Sequence, residues 1–250
     1  MKYFPRYPLR SVWRICHYNV NPCFFDTIHV NEFPKSGGTW LARMISECTQ
    51  YRFDDNLYPW FGNSVVKHHK KKLLKPKMIQ VVRDPRDVYV SLYFHCKKQF
   101  SGDGWNHEAV KLMKKHYFDI EREEKEEINY FVNAVQSNPI MPPFSWQEFY
   151  LNQNDKCNLM VKYEELRADP ANTLKKVFSS LGLDIDQEVI DNVVDKNNID
   201  KILEKRKNNA KQAHFIRRGK VSGYKTYLLD ETVDEIEKNN LKAMQNFGYL

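Results

Sequence analysis

Three short apolar runs, each followed by a segment whose apolar residues recur three and four apart, set the pattern of this chain. The first, Asp26 to Phe33, follows a turn-prone Asn21-Pro22 and runs into Pro34-Lys35-Ser36-Gly37-Gly38, so it reads as a strand entering a glycine loop. Leu41, Met44, Ile45 and Cys48 then predict a helix over Thr39 to Cys48. Met78 to Arg83 is a second run, of the kind found in parallel strands covered on both faces. It precedes a predicted helix over Asp87 to His95, with Val88, Leu92 and His95 on one side. Asn158 to Tyr163 is the third, and after Asp169-Pro170 comes a helix carrying Leu174, Val177, Phe178 and Leu181 and stopped by Gly182. Strands alternating with helices predict an α/β protein with three layers, α/β/α, around a central parallel sheet.

Two further segments, Glu108 to Asn133 with the charge run Glu121 to Glu127, and Asp186 to Lys207 with Val189, Ile190, Val193 and Val194, predict solvent-facing helices. The Pro139 to Pro143 stretch is short and has strand units on both sides, so residues 1–250 read as a single domain. With 42% hydrophobic residues, 9 Gly and 11 Pro, the composition is that of a folded globular chain. Lys and Arg outnumber Asp and Glu by 39 to 32, and the net +7 favours an anionic partner: nucleic acid, anionic lipid, or a phosphorylated or sulfated small molecule. No window reaches the roughly 18 apolar residues of a membrane span, and Met1 to Trp13 lacks the apolar stretch of an export signal. Cys16, Cys23, Cys48, Cys96 and Cys157 are scattered and never form C-x-x-C, which points to a reducing cytoplasm.

Chemistry concentrates in Phe33-Pro34-Lys35-Ser36-Gly37-Gly38-Thr39-Trp40. Glycines between a strand and a helix let backbone N–H groups converge on an anion, and the helix N-terminus adds partial positive charge. This makes the fold P-loop-containing. An ordinary tight turn would explain two glycines, but not a lysine, a serine and a threonine within the same eight residues. The loop is not the G-x-x-x-x-G-K-[ST] sequence of nucleotide kinases, because its lysine precedes both glycines.

The order P-K-S-G-x-T-W after a strand resembles the 5′-phosphosulfate loop of the cytosolic-type sulfotransferases, which use 3′-phosphoadenylyl sulfate (PAPS). A second signature of that family, an arginine ending a strand and a serine eight residues on, is matched by Arg83 and Ser91 in Val81-Val82-Arg83-Asp84-Pro85-Arg86-Asp87-Val88-Tyr89-Val90-Ser91. A third, R-K-G-x-x-G-x-W-K, is similar to Arg217-Arg218-Gly219-Lys220-Val221-Ser222-Gly223-Tyr224-Lys225, where the residues after Gly219 depart from the pattern.

The resemblance implies transfer of a sulfuryl group from PAPS to a hydroxyl or amine of a small-molecule acceptor, with release of adenosine 3′,5′-bisphosphate (PAP) and without a metal. It implies that the backbone of Ser36, Gly37, Gly38 and Thr39 holds the 5′-phosphate, that Lys35 contacts the bridging oxygen, and that Arg83, Ser91, Arg217, Arg218 and Gly219 hold the 3′-phosphate. Val66-Lys67-His68-His69 is similar to the family's V-K-T-H, which makes His69 the expected base, with His68 as the fallback, and Lys67 a ligand of the sulfuryl oxygens. Trp40 and the tyrosine of Tyr163-Glu164-Glu165 are expected at the adenine, while Ile199 stands where the family has a stacking phenylalanine. Phe94, Phe100, Trp105, Tyr117, Phe118, Phe144 and Trp146 are expected to wall the acceptor. The family's dimer motif is incomplete: Thr232-Val233 and Glu237 fit, and Leu228 replaces a lysine.

Two alternatives stand beside this reading. One is a P-loop small-molecule or nucleotide kinase, marked by dependence on Mg²⁺ and ATP. The other is a non-catalytic nucleic-acid binder using the basic segment Lys205 to Lys225, marked by steep salt dependence.

Overall fold

Strands β1 (Thr27–Glu32), β2 (Ser64–His68), β3 (Met78–Val82) and β4 (Leu159–Lys162) pair in the order β2-β1-β3-β4, all parallel, in the computed structural model. The structure describes residues 20–21, 23–53, 61–71, 77–100, 116–118, 123–139, 142–152, 159–207 and 219–250, with backbone alone at 99–100 and 205–207. Arg217, Arg218 and Trp105, and the side chain of Phe100, lie outside the described residues. The helices are α1 (Gly38–Thr49), α2 (Pro85–Phe100), α3 (Glu124–Ser137), α4 (Trp146–Leu151), α5 (Tyr163–Ala168), α6 (Pro170–Ser180), α7 (Gln187–Lys196), α8 (Ile199–Lys207) and α9 (Asp230–Asn246).

The chain leaves β1 toward β2 on one side and returns to β3 on the other. Strand order therefore reverses between β1 and β3, and a crevice opens at their carboxyl ends, where open α/β sheets bind ligands. The glycine loop follows β1 and Arg83 follows β3, so both sequence signatures sit at that point.

Alternation along the strands sends Ile28, Val30, Ile79, Val81 and Val161 to one face, where α1 and α5 to α8 cover them with Leu41, Ile45, Leu174, Val177 and Ile190. On the other side a cluster rich in aromatics joins Phe33 and Val82 to Tyr89, Tyr93, Phe131, Trp146 and Phe149 from α2, α3 and α4, and to Ile236 and Met244 from α9. Each fully buried side chain of this size stabilises the fold by about 1.5–3 kcal/mol. β1 departs from a plain apolar strand because His29 and Asn31 are buried in it as well. Both are paired: His29 Nδ1 lies 2.9 Å from His68 Nε2, and the Asn31 amide bonds Lys70 twice, donating to its carbonyl at 3.0 Å and accepting from its N–H at 3.1 Å.

Two expected helices change character. The segment expected to face solvent over Glu108 to Asn133 is described from Glu124, runs on to Ser137, and buries Ile128, Phe131, Val132 and Val135 against α2 and α9. The segment Asp186 to Lys207 is two helices, because Asn198 interrupts it: its side-chain oxygen accepts the N–H of Asp200 at 2.9 Å and starts α8 afresh. Ile190, Val193 and Ile199 from this pair enter the core.

Candidate active site

Each strand delivers one part of the site from its carboxyl end: the glycine loop from β1, His69 from β2, Arg83 from β3 and Tyr163 from β4. In the loop, Lys35 and Gly37 both hold positive φ, at 77° and 99°. For Lys35 that is the left-handed region most side chains avoid, a local cost the surrounding structure must bear. For Gly37 any side chain is barred, since a Cβ would lie 2.5 Å from Tyr163 Cδ2. The loop is pinned beneath by Ser36. The Tyr150 hydroxyl donates to the Val81 carbonyl at 2.7 Å, so Ser36 Oγ donates to the Tyr150 oxygen at 3.3 Å. Ser36 thus faces inward, and at that position the loop offers a ligand only backbone.

The first N–H groups of a helix have no partner within the helix. Of those opening α1, Gly38 N–H donates to Glu32 Oε2 at 2.6 Å. Lys67 Nζ, from β2, donates to Thr39 Oγ1 at 2.6 Å and stands 4.0 Å from Glu32 Oε1. Lys35 is largely withdrawn from water, and that burial lowers its pKa; Glu32 pulls it back up while Lys67 and Arg83 push it down.

The two neighbouring histidines are divided by the strand alternation. His68 is buried and its ring meets His29. His69 Nδ1 lies 3.0 Å from the Glu32 carbonyl. A carbonyl oxygen only accepts, so Nδ1 carries a hydrogen, and in the neutral ring the lone pair is then on Nε2.

Arg83 joins three elements. Its Nη2 donates to the Lys220 carbonyl at 3.1 Å and lies 3.6 Å from Asp87, and its guanidinium carbon stands 4.3 Å from the centre of the Tyr163 ring. Its buried Nε has no hydrogen-bond partner among the described residues, a donor left over for a ligand. Tyr163 packs under Gly37, sits edge-on to Trp40 at 6.3 Å, and donates its hydroxyl to the Gly219 carbonyl at 3.1 Å. Gly219, at φ 60°, touches Ile199: a Cβ there would lie 2.7 Å from Ile199 Cγ2. Trp40 is buried, and its indole N–H donates to the Asn197 carbonyl at 3.0 Å. Ser91 is half-buried on α2, two turns past Arg83.

The structure therefore brings Lys35, Gly37, Gly38, Thr39, Lys67, His69, Arg83, Tyr163 and Gly219 around one crevice. Of the expected acceptor walls, Tyr117 and Trp146 are fully buried core residues, whereas Phe94, Phe118 and Phe144 pack at the edge of that core.

Several residues of the site had not been expected. Asp87 accepts the N–H of Ser222 and of Tyr224, each at 2.9 Å, and so fastens the segment after Gly219 to α2. Its position within Arg-Asp-Pro-Arg-Asp was visible in the sequence; its partners, more than a hundred residues on, were not. Arg86 is half-buried between Asp84 at 2.7 Å and Glu237 at 2.6 Å, and donates to the Tyr249 carbonyl at 3.2 Å. His95 lies one turn beyond Ser91. Burial first, and then the positive charges of Lys35 and Lys67, push its imidazole down to about 4.

A family profile described as Sulfotransferase domain matches residues 26–248. The chain belongs to the sulfotransferase domain family. That family is one of transferases. Among curated sulfotransferases, the chain is 27% identical over 177 residues to Sulfotransferase 2A1 of Macaca fascicularis, a match covering 66% of this chain and 55% of that protein. It is 23% identical over 269 residues to Flavonol 3-sulfotransferase of Flaveria bidentis, covering 85% of this chain and 80% of the relative. The chain thus spans little more than half of the first sulfotransferase and most of the second. The crystal structure of mouse sulfotransferase SULT7A1 complexed with PAP superposes with a TM-score of 0.60 at 18% identity, over 88% of this chain and 84% of that one. The shared fold is the central parallel sheet with helices on both faces.

Proposed function

We propose that this chain moves a sulfuryl group from PAPS to a hydroxyl or amine of a small-molecule acceptor and releases PAP, with His69 as the base. The observation that carries this reading is the His69 Nδ1 contact with the Glu32 carbonyl, which ties the ring to the end of β1 and in the neutral ring puts the lone pair on Nε2. The residues present suit the donor: a glycine loop packed so closely on Tyr163 and Glu32 that a Cβ would clash, two lysines beside it, and an arginine with a spare buried N–H. The donor supplies an activated sulfuryl group whose bond to the 5′-phosphate is to break. His69 Nε2 takes the acceptor's proton as its oxygen or nitrogen bonds to sulfur, and proton removal of this kind is worth about 10²–10⁴-fold in rate. Lys67 neutralises charge on the sulfuryl oxygens, and Lys35 stabilises the bridging oxygen as it departs with PAP. Arg83 grips the 3′-phosphate as a bidentate fork, with Ser91, Gly219, Arg217 and Arg218 alongside. Tyr163 and Trp40 form the adenine side.

The acceptor is an apolar or phenolic small molecule, held on the side where Phe144 and the segment after His69 meet. Lys71 Nζ, two residues past His69, stands 5.9 Å from the Phe144 ring. We assign the reaction to the cytoplasm, where Cys48 and Cys96, free thiols among the described residues, would stay reduced.

The test is titration calorimetry with PAP on the native chain and on Arg83→Ala. Binding by the first and at least about a hundredfold loss in the second is the expected result. No binding by the native chain would overturn the reading.

A further inference from the structure

Glu32, the last residue of β1, is 3% exposed, and its carboxylate is placed where the reading above puts the donor's 5′-phosphate. Its Oε2 accepts the Gly38 N–H at 2.6 Å, and its Oε1 lies 4.0 Å from Lys67 Nζ. Lys35 is drawn toward its charged form by the same carboxylate. The charged or ionisable groups facing Glu32 are thus Lys67 from β2, Lys35 from the loop, and the Tyr150 hydroxyl from α4, whose ionisation Glu32 opposes. A carboxylate that takes one cradle N–H and stands near two cradle lysines is an anion in an anion site.

Gly38 gives a second, independent sign that the loop is built around this group. Its φ is ordinary, so backbone conformation does not call for glycine there. A Cβ would instead lie 2.7 Å from Glu32 Cδ and 3.0 Å from Cγ, so the missing side chain is what makes room for the carboxylate. Residues 32 and 38 are therefore fitted to one another.

We propose that Glu32 is a built-in anion occupying the donor cradle, which the donor's phosphosulfate end must displace from Gly38 and Lys67, so that Glu32 sets the affinity for the donor. The proposal rests on the assignment of this cradle to PAPS. Displacement costs the carboxylate its charge-assisted hydrogen bond, and a carboxylate that remained within a few ångströms would repel the incoming anion. Removing the charge frees the N–H and both lysines for the donor.

The experiment is calorimetric titration of PAP into the native chain, Glu32→Gln and Glu32→Thr, each first shown by thermal melting to be folded. Both variants are expected to bind at least about tenfold more tightly than the native chain, because each removes the charge and Thr also shortens the side chain. Gly38→Ala is expected to weaken binding in the native background and to leave it unchanged in Glu32→Thr, where the clash is gone. Equal or weaker binding by folded Glu32 variants, with the native chain still binding, would overturn the proposal alone: the carboxylate would then be a brace for the loop. Absence of PAP binding from every chain would remove the donor assignment itself, and the proposal with it.

Discussion

The glycine-loop cradle and the aromatic region beside it meet at Phe33 but are held by different forces. In the cradle nearly every contact is a hydrogen bond to backbone or a fixed charge: Ser36 on Tyr150, Gly38 on Glu32, Tyr163 on Gly219, Arg83 on Lys220, and Asp87 on residues 222 and 224. In the aromatic region the contacts are ring on ring, with Phe33 edge-on to Phe149 at 5.9 Å, Phe149 stacked on Phe144 at 5.7 Å, and Tyr93 stacked on Phe118 at 5.7 Å. Hydrogen bonds are directional and costly to leave unmade, so the first arrangement suits a single ligand of fixed charge pattern. Ring packing follows area and shape, so the second tolerates changes of size.

If that division holds, changes at the base should spare donor binding. His69→Gln is expected to cut turnover by about 10²–10⁴-fold while PAP affinity, read by calorimetry, stays near the native value. A parallel loss of PAP affinity would place His69 in the cradle instead. Arg86→Ala breaks a half-buried network behind the cradle and is expected to cost about 1.5–3 kcal/mol of stability, read by denaturant unfolding. A loss below 1 kcal/mol would mean that water already serves Asp84 and Glu237. Gly37→Ala drives a Cβ into Tyr163 and strains φ at once, and is expected to weaken PAP binding by about ten- to a hundredfold. An unchanged affinity would show that the Tyr163 ring gives way freely.

The smallest expected effect concerns acidity at His95. His95 is held near 4 in the folded chain against an ordinary 6.5, so the unfolded chain binds the extra proton between those values. Stability is then full above about 6.5 and falls as pH drops toward about 4. His95→Phe should flatten the melting temperature over that window and leave PAP binding alone. A profile as steep as the native one would assign the acid sensitivity elsewhere.

What could be read from the sequence follows the same division. The strand, loop and helix around Lys35 and the unit around Arg83 were legible because local signals agree: apolar runs, glycines and helical spacing at short range. β2 was not, since Ser64-Val65-Val66-Lys67-His68 has only two apolar residues and becomes a strand by pairing with β1. α9 was hidden because Thr232 and Asn240 take core positions beside Ile236, Ala243 and Met244, so its apolar face reads as polar. The Asp87 and Arg86 attachments join residues more than a hundred positions apart, which no motif spacing encodes. Glu32 left one trace, the glycine at position 38, and its meaning needed the distance between the two side chains.

The Arg86 network also bears on how the site comes into being on the ribosome. β1 to β4, with the glycine loop, Arg83 and Tyr163, emerge before residues 237 and 249. Yet Arg86 is clasped by Glu237 and the Tyr249 carbonyl, and the Tyr249 hydroxyl donates at 2.9 Å to Glu164, whose other oxygen holds the Asp84 N–H at 3.1 Å. The two corners that present Arg83 and Tyr163 are thus fastened by parts synthesised after them. The crevice between those corners is therefore finished only when the C-terminal helix has docked.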